Sequence, residues 1–355
     1  MRQEHEMKLP KISNELRFNV LVTIMTILVP FLIGAIIMLF ISVNPIAAYR
    51  SLFYGAFGTL SGFGETMAKA SPLLLTSVGV AIAFRCSSWN IGAEGQLLIG
   101  AIVTTWLGLF FIPLPPIIII PLALVLSFVA GGLFGFIPGL LKAQFNANEI
   151  ITTMMLNYVA VLIVSYLVSG PWVSETKMGI TPMTDTITPS LQLPVIIPGT
   201  RFHIGVLLGI VLAVFCYFLL FKSTLGYKIR AVGLNPRAAS FGGINVKMVM
   251  VLSMVLSGGI AAIGGMAEVA GLHHQLMDGI SPGYGYTAIV VALLGRLNPL
   301  GIIVSSIMFA GLIVGADTMQ QQAGVPISII NIIQALVIIF VLTSEGFMRW
   351  RKRRA

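Results

Sequence analysis

Charge is what this chain lacks most. Asp, Glu, Lys and Arg make up only 9% of its 355 residues, whereas a soluble domain averages about 25%. No water-exposed globular surface can be assembled from so few. Cysteine is nearly absent: Cys86 and Cys216 lie far apart and match no metal or redox spacing, which excludes a disulfide framework and a thiolate metal centre. The pattern G-x-x-x-x-G-K-[ST] occurs nowhere, and no stretch has the size or polarity of a nucleotide-binding domain. No Ser/His/Asp arrangement argues for an enzyme. Adjacent His273 and His274 point in different directions on a helix, so a metal pair is not expected there.

What is present is apolar. Hydrophobic residues make up 57% of the chain and mean hydropathy is +0.98. A membrane span needs about 20 mainly apolar residues. Ten runs qualify as candidates, at roughly 18–41, 66–84, 89–111, 117–137, 150–168, 204–221, 248–267, 283–296, 300–316 and 326–343. The expected fold is all-α and polytopic, with about ten transmembrane helices; eight spans, with two runs lying within the membrane, is the alternative. The eighth run is short and Gly-rich, and reads as broken, re-entrant or tilted. Phe18–Ile41 is too long for a signal-peptide core and no small-residue cleavage site follows, so it is expected to remain as the first span.

The net charge of +9 is concentrated in the N-terminal segment, in the stretch 222–247 and in the tail "RWRKRR" (Arg349–Arg354). Short basic flanks of apolar spans are what the positive-inside rule predicts, so nucleic acid is not an expected partner. With a cytoplasmic N-terminus and ten spans, all but Arg50, Lys69, Lys177 and Arg201 of the 21 Lys and Arg residues fall inside. An even count returns the basic tail to the cytoplasm. The expected organisation is a cytoplasmic segment 1–17, a transmembrane domain 18–343 and a basic cytoplasmic tail 344–355. Within the domain lie an external loop 169–203, rich in Thr and Pro, and a cytoplasmic loop 222–247.

Polar residues inside apolar runs carry the functional signal. The stretch "SSWNIGAEGQLLIGA" (87–101) places Asn90, Glu94 and Gln96 where a span begins. A charge in a membrane helix costs roughly 2.5–3.5 kcal/mol on insertion scales. Asn90 and Glu94, four apart, would share a helix face, and that face must meet protein or water. Either it lines a permeation path, or Glu94 is satisfied by Arg85 or by neighbouring backbone. In "FNANEIITTMMLNY", Asn148 and Glu149 suit a helix start. Asn157 lies two turns further in, and is better placed to bond a polar solute or a neighbouring helix. In "GLHHQLMDGISPGYGYTAIVVALLGRLNPLG", Gly283 and Gly285 alternate with Tyr284 and Tyr286. This reads as unwound backbone of the kind transporters offer to substrate; the rings would stack on a flat solute or anchor at the interface. Gly131, Gly135 and Gly139, and likewise Ser257, Ala261 and Gly265, are packing ridges at four-residue spacing.

The loop "GYKIRAVGLNPRAASFGGINVK" can be read from local rules. Asn235 is a favoured N-cap and Pro236 suits the first helical position. "PRAASF" then forms a short helix, which Gly242-Gly243 ends. So short a helix is marginal by itself in water, so it is expected to dock. Its small face, with Ala238 and Ala239, fits a protein groove better than lipid headgroups.

Four stretches, "NIGAEGQLLIGA", "NEIITTMMLNY", "GLNPRAASFGGINV" and "PGYGYTAIVVALLGRLNPLG", resemble permease subunits of bacterial ABC importers. The family is the branched-chain amino acid and simple-sugar permease group, and its nucleoside-uptake branch is the most similar. The resemblance runs from about residue 60 to 345. It implies a location in the bacterial cell membrane and a pathway formed by two permease chains, identical or paralogous. Two cytoplasmic ATPases would bind the ATP beneath, leaving this chain without a cofactor, and an extracellular lipoprotein would deliver the solute. Gly233–Val246 resembles the coupling helix that sits in an ATPase groove. Its candidate residues are Gly233, Asn235, Pro236, Arg237, Ala238, Ala239, Ser240, Phe241 and Gly242. Candidates for the substrate pathway are Asn90, Glu94, Gln96, Asn148, Glu149, Asn157, Tyr284 and Tyr286.

Two rival readings remain at this stage. One is a permease for a simple sugar such as ribose, or for branched-chain amino acids. The other is an ion-coupled secondary transporter in which Glu94, Glu149, Glu268 and Asp278 would titrate, although such a transporter needs no capped helix presented to the cytoplasm.

Overall fold

A computed structural model describes residues 14–111, 114–174 and 182–354. The first part of the N-terminal segment (1–13), residues 175–181 of the external loop, Lys177 among them, and Ala355 lie outside the described residues. Among the described residues thirteen α-helices follow one another: α1 (Asn14–Phe40), α2 (Pro45–Phe53), α3 (Leu60–Arg85), α4 (Ala93–Phe110), α5 (Pro116–Phe145), α6 (Glu149–Ser169), α7 (Gly205–Lys222), α8 (Thr224–Leu234), α9 (Pro236–Phe241), α10 (Val246–Glu268), α11 (Tyr284–Leu294), α12 (Pro299–Ala323) and α13 (Ile327–Arg354). Among the described residues β-structure is limited to two isolated bridges, Met183 with Met277 and Val195 with His203.

Among the described residues seven helices are long and apolar enough to cross a membrane: α3 to α7, α10 with its π-helical extension to His273, and α12. Leu28–Phe40, Tyr284–Leu294 and Ile327–Val341 are shorter apolar helices. Every one of the ten runs read from sequence therefore lies on a helix, and the all-α polytopic architecture stands with seven full-length spans. The eighth run is short for a physical reason. Gly283 adopts φ +92, a left-handed conformation that costs glycine little, and α11 begins only there. Eleven residues at 1.5 Å each give a helix of about 16 Å, half a bilayer. The stretch 344–354, read as a tail, continues α13 as helix.

The chain divides into two compact units, Met1–Ser51 with Met319–Ala355, and Leu52–Thr318. In the first, α1 packs on α13. A Cβ on Gly34 would lie 2.6 Å from Ile333 Cδ1, and Tyr49 OH donates to Phe31 O at 2.5 Å.

In the second unit α10 is the centre, with α3, α4 and α5 around it. Small residues permit this. A Cβ on Gly131 would meet Gly258 O at 2.4 Å, one on Gly135 would meet Met254 O at 2.5 Å, and one on Gly79 would meet Ser257 O at 2.6 Å. In lipid, helices gain little by burying apolar groups against one another, so close backbone approach carries the association. Burial ranks the helices: 94% of the most apolar stretch of α3 is enclosed but only 22% of that of α6, which leaves α6 to face lipid or a partner. Lys69, in enclosed α3, is held 3.2 Å from Asp317.

The described part of the loop 169–203 is fastened to the segment after α10. Leu193 N donates to Ala270 O at 2.8 Å, Ile187 N to His274 O at 2.8 Å and Thr184 N to Leu276 O at 2.9 Å. His203, fully buried, lies against Gly271, where a Cβ would be 2.4 Å from the ring. Burial, with His274 adding to it, lowers the His203 pKa from its ordinary 6.5 to about 4. The unfolded chain therefore takes up this proton first. The stability contributed by neutral His203 is complete above pH 6.5 and is lost as pH falls toward 4. The thermal midpoint of the solubilised protein is expected to drop between pH 7 and 5, and His203→Gln to flatten that drop; the same slope in the variant would assign it to other groups.

Candidate functional site

Chain entry into α4 is not helical. Between Arg85 and Ala93 the backbone runs as turn and coil, and it reaches the middle of the membrane domain: Asn90 Nδ2 donates to Ser257 Oγ at 2.8 Å, and Ser257 is the midpoint of α10. Such a break at depth is tolerated only if protein satisfies its polar groups, and here it does. Asn90 and Gln96 exchange hydrogen bonds, Nδ2 to Oε1 at 2.8 Å and Nε2 to Oδ1 at 3.2 Å. Gly92 N adds a further bond to Asn90 Oδ1. Asn157, from α6, accepts from Gly95 N at 2.8 Å and donates to Ile91 O at 2.9 Å and to Tyr286 OH at 3.1 Å. Asn90, Gln96 and Asn157 thus serve as clasps on the break, each with its amide engaged.

Glu94 joins this break to a second one. Its Oε2 accepts from Gly285 N at 2.6 Å, in the first turn of α11, where a carboxylate complements the positive end of the helix dipole. The two helix starts touch through backbone, since a Cβ on Gly285 would lie 2.2 Å from Glu94 N. Ser281 Oγ accepts from Tyr284 N at 3.1 Å, so a serine three residues ahead fixes the start of α11 as an N-cap does. Tyr284 is buried and Tyr286 is 43% exposed. Glu94 lines a cleft of about 320 Å³ together with Asp278 and Ser281.

Six of the eight pathway candidates come together in this way: Asn90, Glu94, Gln96, Asn157, Tyr284 and Tyr286. The other two stand at the α5–α6 turn. Asn148 caps α6, accepting from Ile150 N at 2.9 Å. Glu149 pairs with Lys142, and Lys142 Nζ also reaches Ser87 O at 3.4 Å, tying that turn to the start of the break.

The short helix read from sequence is α9. Asn235 Oδ1 accepts from Arg237 N at 3.0 Å and Ala238 N at 3.1 Å. Gly242 closes the helix, and the left-handed residue is Gly243, at φ +78. Ala239 turns inward, so the outward groups near it are Leu234 and Phe241, 88% and 94% exposed, rather than both alanines. Its mounting on α8 is tight. A Cβ on Gly233 would lie 2.0 Å from Arg85 O, and Ser87 Oγ donates to Gly233 O at 2.8 Å. Arg85 and Arg230 lie 5.2 and 5.4 Å from the centre of the Phe221 ring, a pair of cation–π contacts. Arg85 also donates to the carbonyls of Arg296 and Leu297, both at 3.0 Å. One set of contacts therefore runs from α9 through Gly233 to Ser87, and from the break to Glu94 and α11.

Sequence reasoning passed over Ser257 as packing and gave no role to Lys142 or Ser281. For Ser281 a signal existed, a serine three residues before the helix start. Ser257 and Lys142 had none, because their partners lie on other helices.

The family described as "Branched-chain amino acid transport system / permease component" matches residues 62–342. Guanosine ABC transporter permease protein NupP of Bacillus subtilis is 36% identical over 329 residues, 92% of this chain and 94% of that protein. Glucose ABC transporter permease protein TsgB13 of Haloferax volcanii is 35% identical over 338 residues, 92% of this chain and 88% of its own. Nucleoside ABC transporter permease protein NupB of Lactococcus lactis subsp. cremoris is 34% identical over 330 residues, covering 91% and 90%. No solved structure matches the chain.

Proposed function

Because the chain belongs to the branched-chain amino acid transport system / permease component family, we propose that it is the membrane-spanning permease of an ATP-driven ABC importer for nucleosides. It is a multi-pass membrane protein and a transport component rather than an enzyme, working with ATPase and binding-protein partners. That sets aside the secondary transporter. Two of its would-be titrating groups are in any case engaged separately, Glu149 with Lys142 and Glu268 with His273.

The assembly comprises this subunit, a second permease, identical or paralogous, two cytoplasmic ATPases that bind the ATP, and an extracellular lipoprotein that delivers solute. Ten spans with both termini in the cytoplasm fit the basic flanks and the apolar helices beyond the seven long ones. The observation that carries the energy-coupling reading is α9: a helix capped at both ends, exposing Phe241, and mounted through Gly233 on the break that holds Glu94. ATP binding by the partners would move α9 and, through Gly233 and Ser87, reset the break and switch the side to which the path opens. Such a switch needs two states that interact differently with ATPase and binding protein.

A simple-sugar permease is the second reading, favoured by the glucose relative. Uptake of labelled guanosine in the presence of excess adenosine, ribose, glucose or leucine separates them. Adenosine is expected to compete and leucine not to; competition by glucose or ribose without adenosine would replace nucleoside by sugar.

A further inference from the structure

The cleft beside Glu94 has a lining with a definite chemistry. It opens between α4, α6 and the segment leading into α11, at about 320 Å³, within the range of small-molecule sites. Leu98, Val161 and Val164 form an apolar wall, and Glu94, Asp278 and Ser281 are its polar groups. Glu94, 5% exposed, has Oε2 on the Gly285 amide, and the Ser281 hydroxyl and the Gly283 amide also bond its carboxylate, which leaves at most one of its roughly four lone-pair sites for a solute donor. Asp278 is exposed on the non-helical segment. Gly279, also in the lining, has φ +70 and open space where a Cβ would stand. Among the described residues no Lys, Arg or His is in the lining. Such a wall offers acceptors to hydroxyl and amino donors. Its carboxyl groups disfavour phosphate and carboxylate groups, which would bring like charge beside them.

We propose that this cleft is the solute-contact site of the subunit, in which Glu94 and Asp278 accept hydrogen bonds from the sugar hydroxyls of a neutral nucleoside while Leu98, Val161 and Val164 cover its base. The assignment rests on the nucleoside reading above and adds a rule of exclusion: phosphorylated nucleosides and carboxylate-bearing solutes are kept out.

Two measurements on the full importer in proteoliposomes test it. Native Cys86 and Cys216 are both buried, so Asp278→Cys can be followed with a cationic thiol reagent. Guanosine should slow its labelling at least fivefold and guanosine monophosphate should not; equal labelling with and without guanosine, or equal protection by the monophosphate, overturns the assignment. In Asp278→Asn, a change on an exposed segment, the apparent KM for guanosine should rise about tenfold while that for 2′,3′-dideoxyguanosine stays put. An equal shift for both, or for neither, removes Asp278 from hydroxyl recognition and overturns the assignment. A wild-type importer that takes up neither guanosine nor adenosine ends the nucleoside reading and this one with it. One that takes them up while labelling goes unprotected ends only this one.

Discussion

Replacing Pro236 and Arg237 together with glycine is expected to abolish uptake and ATPase docking while the protein still inserts and folds. Both positions are exposed, and the cap of α9 uses the Asn235 side chain, which the change leaves in place. The loss is conformational. Proline presets the backbone angle at the first helical position, and each glycine costs a helix about 1 kcal/mol relative to alanine. A six-residue helix has no propagation to offset roughly 2 kcal/mol. That figure corresponds to about a thirtyfold fall in the population able to dock. The ATPase should then fail to co-purify with the variant. Co-purification at the wild-type yield would deny α9 its coupling role.

The largest structural loss is expected from Gly265→Val. Here α4 and α10 cross with backbone on backbone: a Cβ on Gly265 would lie 1.8 Å from Leu97 O, and one on Gly100 would lie 1.9 Å from Ala262 O. The obstructing atoms are main-chain carbonyl oxygens, so no side chain can swing aside. Overpacking typically costs 1–3 kcal/mol and occasionally more. Two contacting helix backbones that must separate put this site at about 3 kcal/mol or above. The yield of monodisperse protein after solubilisation should collapse, whereas Gly132→Ala, where a Cβ would lie 3.2 Å from a Val255 side-chain carbon and 3.3 Å from the Val255 carbonyl oxygen, asks for a shift of only a few tenths of an ångström and should lose far less. Wild-type yield for both would mean that the crossing is looser than its geometry implies.

Much of this was legible in the sequence, for local reasons. The span positions follow from apolar runs, and α9 from Asn235, Pro236 and the glycine pair, whose effects act within a few residues. Glycine spacing announced the ridges on α5 and α10, although not which would meet. What could not be read was partnership. Asn90 looked like a pathway residue because an unpaired amide in lipid demands a function, yet its partners are Gln96 and Ser257, the second 167 residues away along the chain. Glu94 was read as lining a path or as satisfied by Arg85 or by backbone; a backbone amide does meet it, but it belongs to Gly285, 191 residues on. The start of α4 touching the start of the half-length α11 is a tertiary fact, and neither helix announces the other. Edges also shifted: α3 starts at Leu60 and α5 runs on to Phe145, beyond the runs counted by hydropathy, because a helix continues through glycine and polar residues that a hydropathy count leaves out.

The central claim is that this chain is a conduit moved from outside itself, through α9. Reconstitution of the purified subunit in vesicles, with and without its ATPase partners and ATP, tests that most directly. With α9 facing the lumen and the second permease present, labelled guanosine should concentrate in the lumen only when the ATPase and ATP are inside and the binding protein is outside. Accumulation against a gradient by the permease alone would contradict it.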